Sequence, residues 1–353
     1  MLPGRFAPTS LISQELLQNL NRGDPMPTSF NGTHCTAVIL NANVRNVYER
    51  ARKLSKSDLP ILISGETGTG KEVLSRFVHD NSPRNSTGDF VALNCATIPD
   101  HLIETELFGY SKGAFTDARA DKIGLLTIAD NGTLFLDEVA EMSLAVQKKL
   151  LRALEYREFY PVGSVTPKKA NFRLVCATSE NLGKMVAEKT FRVDLYHRIQ
   201  ACELTLPPLR DRIDEIPLLA GYFLELNGRR DVIMSPDVTE IFSCYNWPGN
   251  IRELRNVVEY ALAVLDENER VIEVYHLPEE KFYGMNCGIL RGMTLSLKEK
   301  ERCFRENLVR ATMTACSGDY KSVAQTLGTS KSTVYEIIAG KNSRVSTPAV
   351  VED

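Results

Sequence analysis

The sequence predicts an α/β fold built on a mainly parallel sheet, followed by a helical region and a separate helical end. Three observations carry this expectation. From about residue 36 to 205, short apolar strand-like runs alternate with helix-period segments. One run, PILIS (60–64), passes directly into a glycine-rich turn, GETGTGKE, and then into a helix-spaced segment. After PPLRDR (207–212) the strand pattern stops, and three helical stretches follow at 214–227, 235–246 and 250–264.

The elements follow in order. Residues 1–35 carry Pro3, Pro8, Pro25 and Pro27 and read as a flexible arm. In the first strand Ile61, Leu62 and Ile63 form the buried run. In the helix after it, Val73, Leu74, Phe77 and Val78 recur at helical spacing. Further strands are expected at FVALN (90–94), GTLFLD (132–137), FRLVCAT (172–178) and CELTL (202–206). Helices are expected at 72–80, 100–107 and 143–155. Glycines at 284, 288 and 292 mark 266–294 as a linker, 295–341 is helical again, and 342–353 reads as a disordered tail.

Composition narrows the function classes. The chain has 353 residues and a net charge of −3, so any nucleic-acid contact has to come from a local patch. Its eight cysteines include no C-x-x-C pair, which argues against zinc and for reduced thiols. No run of 18 apolar residues occurs and the first 30 residues lack a signal-peptide core. A cytoplasmic protein with no membrane partner is expected.

The chemistry is concentrated in two strand ends. Gly65, Gly68 and Gly70 let the backbone curl so that N–H groups face phosphate oxygens, and Lys71 adds the charge for the β- and γ-phosphates. The nucleotide-binding set is therefore Gly65, Glu66, Thr67, Gly68, Thr69, Gly70, Lys71 and Glu72. Glu72 stands where a P-loop usually has the Ser or Thr that binds Mg2+, so the metal has to be held another way. GTLFLDE supplies Asp137 for Mg2+ and Glu138 to orient the attacking water. ATP and Mg2+ are the expected cofactors.

Near the end, KSVAQTLGTSKSTVYEIIAGK (321–341) has a helix-turn-helix pattern. Val323, Ala324, Leu327 and Val334 would pack inward, Gly328 makes the turn, and Ser330 caps the second helix. Lys321, Ser330, Lys331, Ser332, Thr333, Tyr335 and Lys341 form the candidate DNA-binding set. The net charge of this stretch is modest, so binding would need dimers or higher avidity.

GETGTGKE, ELFGYSKGAFTDA (106–118), GTLFLDE, FRVDLYHRI (191–199), LPPLRDR and WPGNIRELRNVVEYA (247–261) occur together and in register. In this the chain resembles the AAA+ domain of bacterial sigma-54-dependent transcription activators, or enhancer-binding proteins, and at its end their Fis-type domain. The resemblance implies an AAA+ P-loop NTPase: an α/β subdomain at 36–205, a helical subdomain at 206–265, and a helix-turn-helix domain at 295–341. That family also carries Glu at the position of Glu72. The resemblance assigns Asn94 to hold Glu138 until nucleotide is sensed, and Arg192 and Arg198 to reach a neighbouring subunit's ATP. It places Thr178 and Ser179 at the first sensor, Ser179 where Asn is common, and Arg252 at the second. Asn250 reads as a helix N-cap and Trp247 as core.

In the family a GAFTGA loop engages sigma-54. Here it reads Gly113, Ala114, Phe115, Thr116, Asp117, Ala118, and Asp117 replaces a glycine. The implied function is an ATP-dependent, DNA-binding activator that remodels the sigma-54 RNA polymerase closed complex. The implied partners are that holoenzyme, upstream double-stranded DNA, and copies of itself from dimer to hexamer. The arm is shorter than a receiver domain, so input is expected from a regulatory protein in trans. The alternative reading is an AAA+ DNA-binding repressor that does not act through sigma-54, given the altered loop.

Overall fold

The computed structural model describes residues 28–31, 36–116, 118–282, 309, 312–313 and 319–338. The chain divides into two compact units, 1–285 and 286–353.

In the first unit the strands are β1 (Thr28–Asn31), β2 (Thr36–Ile39), β3 (Ile61–Ser64), β4 (Phe90–Asn94), β5 (Gly109–Tyr110), β6 (Lys122–Ile123), β7 (Thr133–Asp137), β8 (Glu158–Phe159), β9 (Lys168–Lys169), β10 (Arg173–Thr178), β11 (Cys202–Thr205), β12 (Ile233–Met234) and β13 (Val271–Ile272). Its helices are α1 (Ala42–Leu54), α2 (Lys71–Asp80), α3 (Asp100–Phe108), α4 (Leu125–Ile128), α5 (Leu144–Tyr156), α6 (Leu182–Ala187), α7 (Val193–Ile199), α8 (Ile216–Leu226), α9 (Pro236–Cys244), α10 (Asn250–Val264) and α11 (Glu279–Phe282).

Five strands form a parallel sheet in the order β11-β3-β10-β7-β4. All six residues of the central β10 are buried, as a strand covered on both faces requires. Side chains alternate between two cores. Ile61, Ile63, Phe135, Val175, Ala177 and Leu204 face α1 and α2. Leu62, Leu93, Leu134, Leu136, Leu174 and Cys176 face α3, α5, α6 and α7. The result is a three-layer sandwich whose strands all end on one edge, the edge that carries the candidate site.

A third core belongs to the helical subdomain, where Trp247 is fully buried, meets Phe242 edge-on at 5.1 Å, and donates its indole N–H to the Phe242 carbonyl at 2.7 Å. This subdomain runs past the expected limit of 265. Ile272 and Leu277 are buried in the same core and Phe282 packs against it, so residues 266–282 are built structure, not a linker. The pattern there is too short in each piece to show a period. Of the expected arm, Thr28–Asn31 pairs antiparallel with Thr36–Ile39 as a hairpin. The rest of the arm, residues 283–294, Lys341 and the tail lie outside the described residues.

Two small hairpins were absent from the sequence reading. β5 pairs with β6, and β8 with β9. They are stitched together by Ser111 N–H to Val162 O (3.0 Å) and Val162 N–H to Gly109 O (2.9 Å).

In the second unit α12 (Tyr320–Thr326) and α13 (Lys331–Ile338) are joined by a tight turn at Gly328, whose φ of +61° favours glycine. Val323, Ala324 and Val334 are buried with Val309. Among the described residues no helix is long and apolar enough to cross a membrane.

Candidate active site

The turn between β3 and α2 is held through its carbonyls, two from within and three from residues far along the chain. Gly65 O accepts from Lys71 Nζ at 2.7 Å, and Glu66 O from the Thr69 hydroxyl at 2.7 Å. Thr67 O accepts from Asn250 Nδ2 at 3.0 Å, Gly68 O from the Ile251 N–H at 3.0 Å, and Thr69 O from Arg212 Nη2 at 2.8 Å. Five consecutive carbonyls are thus occupied. The N–H groups of Gly68, Gly70, Lys71 and Glu72 have no protein acceptor among the described residues. Such a concave run of free donors at a helix N-terminus is an anion cradle.

Gly68 and Gly70 adopt φ of +80° and +102°, which an L side chain resists. A Cβ on Gly68 would lie 2.3 Å from the Gly249 carbonyl oxygen, so only glycine lets the helical subdomain close on this turn.

Lys71 is 6% exposed and pairs with Glu138 Oε1 at 3.1 Å. Glu138 Oε2 accepts from the backbone N–H and the hydroxyl of Ser179, each at 2.9 Å. Glu138 itself sits at φ +50°, a strained conformation for a non-glycine residue and a common mark of a working site. Asp137 is half-buried, and burial first, then the neighbouring Glu138 charge, raise its pKa above the ordinary carboxylate value. Cys95 lies near both acids; burial pushes its thiol up to about 12, so it is inert.

Several expected placements change. Asn94 donates to Asp137 Oδ2 at 2.9 Å and not to Glu138, because β4 and β7 set Asn94 directly opposite Asp137 in the sheet. Ser179 takes the glutamate instead. Thr178 is buried, its hydroxyl is engaged by Glu180 N–H at 3.0 Å, and it reaches the turn through its carbonyl, which accepts from Gly65 N–H at 3.2 Å. The Glu66 carboxylate points away from the cradle to Arg210 (2.6 and 2.9 Å) and Asn250 (3.2 Å), bonds that hold its pKa below the usual value. Glu72 pairs with Arg76 on the surface of α2 at 3.0 Å. Asn250 is no cap: fully buried, at φ +52°, it accepts from Leu209 N–H at 2.7 Å while donating to the turn. Arg252 lies beside Gly68 on the same helix start, its Cβ 3.2 Å from where a Gly68 Cβ would be.

A relay missed in the sequence runs from the start of α1 to the turn. Glu215 Oε1 accepts from Leu40 N–H and Asn41 N–H, both at 3.0 Å. Glu215 Oε2 meets Arg212 Nη1 at 3.4 Å, and Arg212 reaches Thr69 O. Both side chains are buried. In the sequence LPPLRDR stands as a motif of the resemblance, with no role given to Arg212 or Glu215; the proline pair between a strand and an apolar helix is the available signal.

Arg192 is bound to Asp194 at 2.6 Å at the start of α7, and Arg198 is exposed near that helix's end. Neither has a contact with the turn. In the expected sigma-54 loop, Phe115 is 44% exposed and meets Tyr110 edge-on at 4.9 Å. Gly113 and Thr116 are exposed, and Ala114 packs under Gly163. Ala118 is buried and is not available for contact, because its carbonyl closes the loop onto Gly113 N–H at 2.8 Å. Asp117 lies outside the described residues. In the second unit Lys321, Ser330, Lys331, Ser332, Thr333 and Tyr335 are exposed. Ser330 Oγ accepts from Thr333 N–H at 3.2 Å, and Tyr335 stacks on Tyr320 at 4.7 Å.

A Mg2+ ion fits this donor set only in company with phosphates. Among the described residues no group of three His, Cys, Asp or Glu side chains could hold a metal, while Asp137 offers one hard carboxylate beside the cradle.

Two family models match the chain: the sigma-54 interaction domain over residues 38–205 and the AAA+ ATPase lid domain over 210–286. The sigma-54-dependent transcriptional regulator UacR of Escherichia coli K12 is 46% identical over 240 residues, 67% of this chain and 40% of that protein. NorR of Escherichia coli O1:K1, an anaerobic nitric oxide reductase transcription regulator, is 35% identical over 345 residues, 95% of this chain and 68% of that protein. Crystal structures of NtrX from Brucella abortus align with TM-scores of 0.65 for its ADP complex and 0.63 for its ATP complex. The identities are 29% and 28%, covering 86% and 93% of this chain and 69% and 72% of NtrX.

Proposed function

This chain belongs to the family of sigma-54-dependent transcriptional regulators and carries its AAA+ P-loop NTPase domain, and we propose that it hydrolyses ATP to remodel the sigma-54 RNA polymerase closed complex. The observation that carries the reading is the carbonyl-clamped turn with Lys71, Glu138 and Ser179 at its mouth.

ATP phosphates bind the free N–H groups of Gly68, Gly70, Lys71 and Glu72, and Lys71 turns from Glu138 toward them. Glu138, still held by Ser179, then orients water and takes its proton. Asp137, steadied by Asn94, would hold Mg2+, which when bound would offset phosphate charge. Arg192 and Arg198 come from a neighbouring copy, Arg192 leaving Asp194 to do so, and stabilise charge on the transferred phosphoryl group. Arg252 senses the nucleotide from the helical subdomain. Hydrolysis moves the 106–118 loop, with Phe115 and Thr116 as contacts to sigma-54. The segment 320–340 binds upstream DNA.

The test is in vitro transcription with sigma-54 polymerase. Lys71→Ala should lower ATP turnover by about 10²–10³-fold and abolish promoter opening while DNA binding persists. Mixing Lys71→Ala with Arg198→Ala copies should restore part of the turnover. Turnover without any sigma-54-dependent transcript, from wild type or from Asp117→Gly, would leave the repressor reading.

A further inference from the structure

At the opposite edge of the sheet from the phosphate cradle lies a second cavity, of about 300 Å3. Pro60 precedes β3, Phe172 precedes β10 and Ala201 precedes β11, so the cavity sits at the strand starts whereas the cradle sits at the strand ends. The six residues of β10 separate the two by roughly 20 Å. The volume is at the lower end for small-molecule sites, and the lining has their usual character: apolar walls with a few placed polar groups.

Its floor is the core-buried Leu154, Phe172 and Leu174, its apolar side is exposed Leu59 and half-buried Pro60, and the rim carries Arg157, His197 and Arg198. The one rim carboxylate, Asp58, is already taken: its two oxygens accept from Arg84 at 2.7 and 3.0 Å, which holds its pKa low. Arg157 gives one nitrogen to the Phe172 carbonyl at 2.6 Å, and its other donors have no acceptor among the described residues. Arg198 likewise has none. Behind them Arg84 and Arg173 add further charge, and burial pushes Arg173 down to about 10. Those two are satisfied, Arg84 by Asp58 and Asn171 and Arg173 by the Leu54 and Ser55 carbonyls, so the donors left for an anion are those of half-buried Arg157 and exposed Arg198. A bare phosphate would satisfy the rim but leave Leu59 against water.

We propose that this cavity binds a small amphipathic carboxylate, with its apolar body against Leu59 and Pro60 and its carboxylate on Arg157 and Arg198. Two N–H donors from each planar guanidinium suit a carboxylate's paired oxygens. Arg198 is also the side chain assigned above to a neighbour's ATP. A bound carboxylate therefore competes for it and slows hydrolysis; that consequence, unlike the binding, rests on the proposed function.

The test uses the full chain and needs no nucleotide. Calorimetry with benzoate and with octanoate should give saturable one-site binding, and benzamide and inorganic phosphate should bind at least tenfold more weakly. Arg157→Met should weaken the carboxylate at least tenfold and Arg157→Lys less. Ala201→Phe, at an exposed position on the cavity's edge, should block it without touching the core, and carries the test if Arg157→Met fails to fold. The proposal falls if neither carboxylate binds up to about 10 mM, if benzamide binds as well as benzoate, or if Ala201→Phe binds like wild type. Carboxylate binding without ATPase inhibition would keep the site and remove only its link to Arg198's role in trans.

Discussion

Two glycine-bearing loops of this molecule are built in opposite ways. From Gly65 to Thr69 every carbonyl is bonded, and a Cβ at Gly68 would strike backbone at 2.3 Å. Among the described residues the Gly113–Ala118 loop has only local backbone bonds, Gly113 N–H to Ala118 O, Ala118 N–H to Phe115 O and Ala114 N–H to Ser111 O, and a Cβ at Gly113 would meet nothing within 4 Å. The first loop is fixed by the rest of the protein. The second is closed at its base and open at its tip, with an exposed phenylalanine. Fixed geometry suits a group that must hold phosphates within tenths of an ångström. An open tip suits a surface read by a partner.

The contrast breaks hardest at Arg212. Arg212→Met leaves the buried Glu215 carboxylate unpaired and frees Thr69 O, so unfolding in urea should show a loss of about 3–5 kcal/mol. Adding Glu215→Gln, which keeps an acceptor for Leu40 and Asn41, should recover part of it. A loss under about 1 kcal/mol from Arg212→Met would mean the relay does not hold the turn.

Matched glycine substitutions sharpen the comparison. Both Gly68 and Gly113 have positive φ, so each alanine variant pays backbone strain of about 1 kcal/mol. Gly68→Ala adds the clash with Gly249 and should cost about 2–3 kcal/mol in all, with weakened ATP binding by fluorescence titration. Gly113→Ala should cost only the strain. Equal losses would erase the distinction. Smaller still in stability is Phe115→Ala, expected to cost under about 1 kcal/mol because the ring is 44% exposed and its aromatic contact among the described residues is Tyr110. Its ATP turnover should persist while sigma-54-dependent transcription is lost.

What the sequence made legible follows from the same contrast. The three inner strands were readable because burial on both faces forces continuous apolar runs, as in Leu134–Phe135–Leu136, whereas the edge strands at 90–94 and 202–205 alternate buried and exposed residues. The phosphate turn was readable because its glycines and lysine are local. Three of the bonds that hold that turn were not, because they come from far along the chain. Asn250 looks like a helix cap until Trp247 and Asn250 take left-handed backbone angles and swing its amide onto Thr67. Arg212 and Glu215 have no visible role until α8 and α1 bury them. Asn94 was placed at the right strand end but on the wrong carboxylate, since strand register is invisible in sequence. The two-residue strands of β8 and β9 have no period to detect.

The finest test lies at Asp137. Burial and the adjacent Glu138 raise its folded-state pKa. A raised acid binds its proton more tightly when folded, so its stabilising contribution is complete below the ordinary value of 3.8 and is lost as pH rises through the raised one. At neutral pH its carboxylate is thus a net cost in stability, retained for the chemistry beside Lys71. Asp137→Asn removes the charge and keeps one acceptor for Asn94 or for the Glu138 N–H, not both. Its melting point relative to wild type should therefore rise as pH climbs from the ordinary value of 3.8 to neutrality, while ATP turnover falls sharply. A wild type that gained on the variant with rising pH would mean that Lys71 outweighs burial, and that the acid is already satisfied before any phosphate arrives.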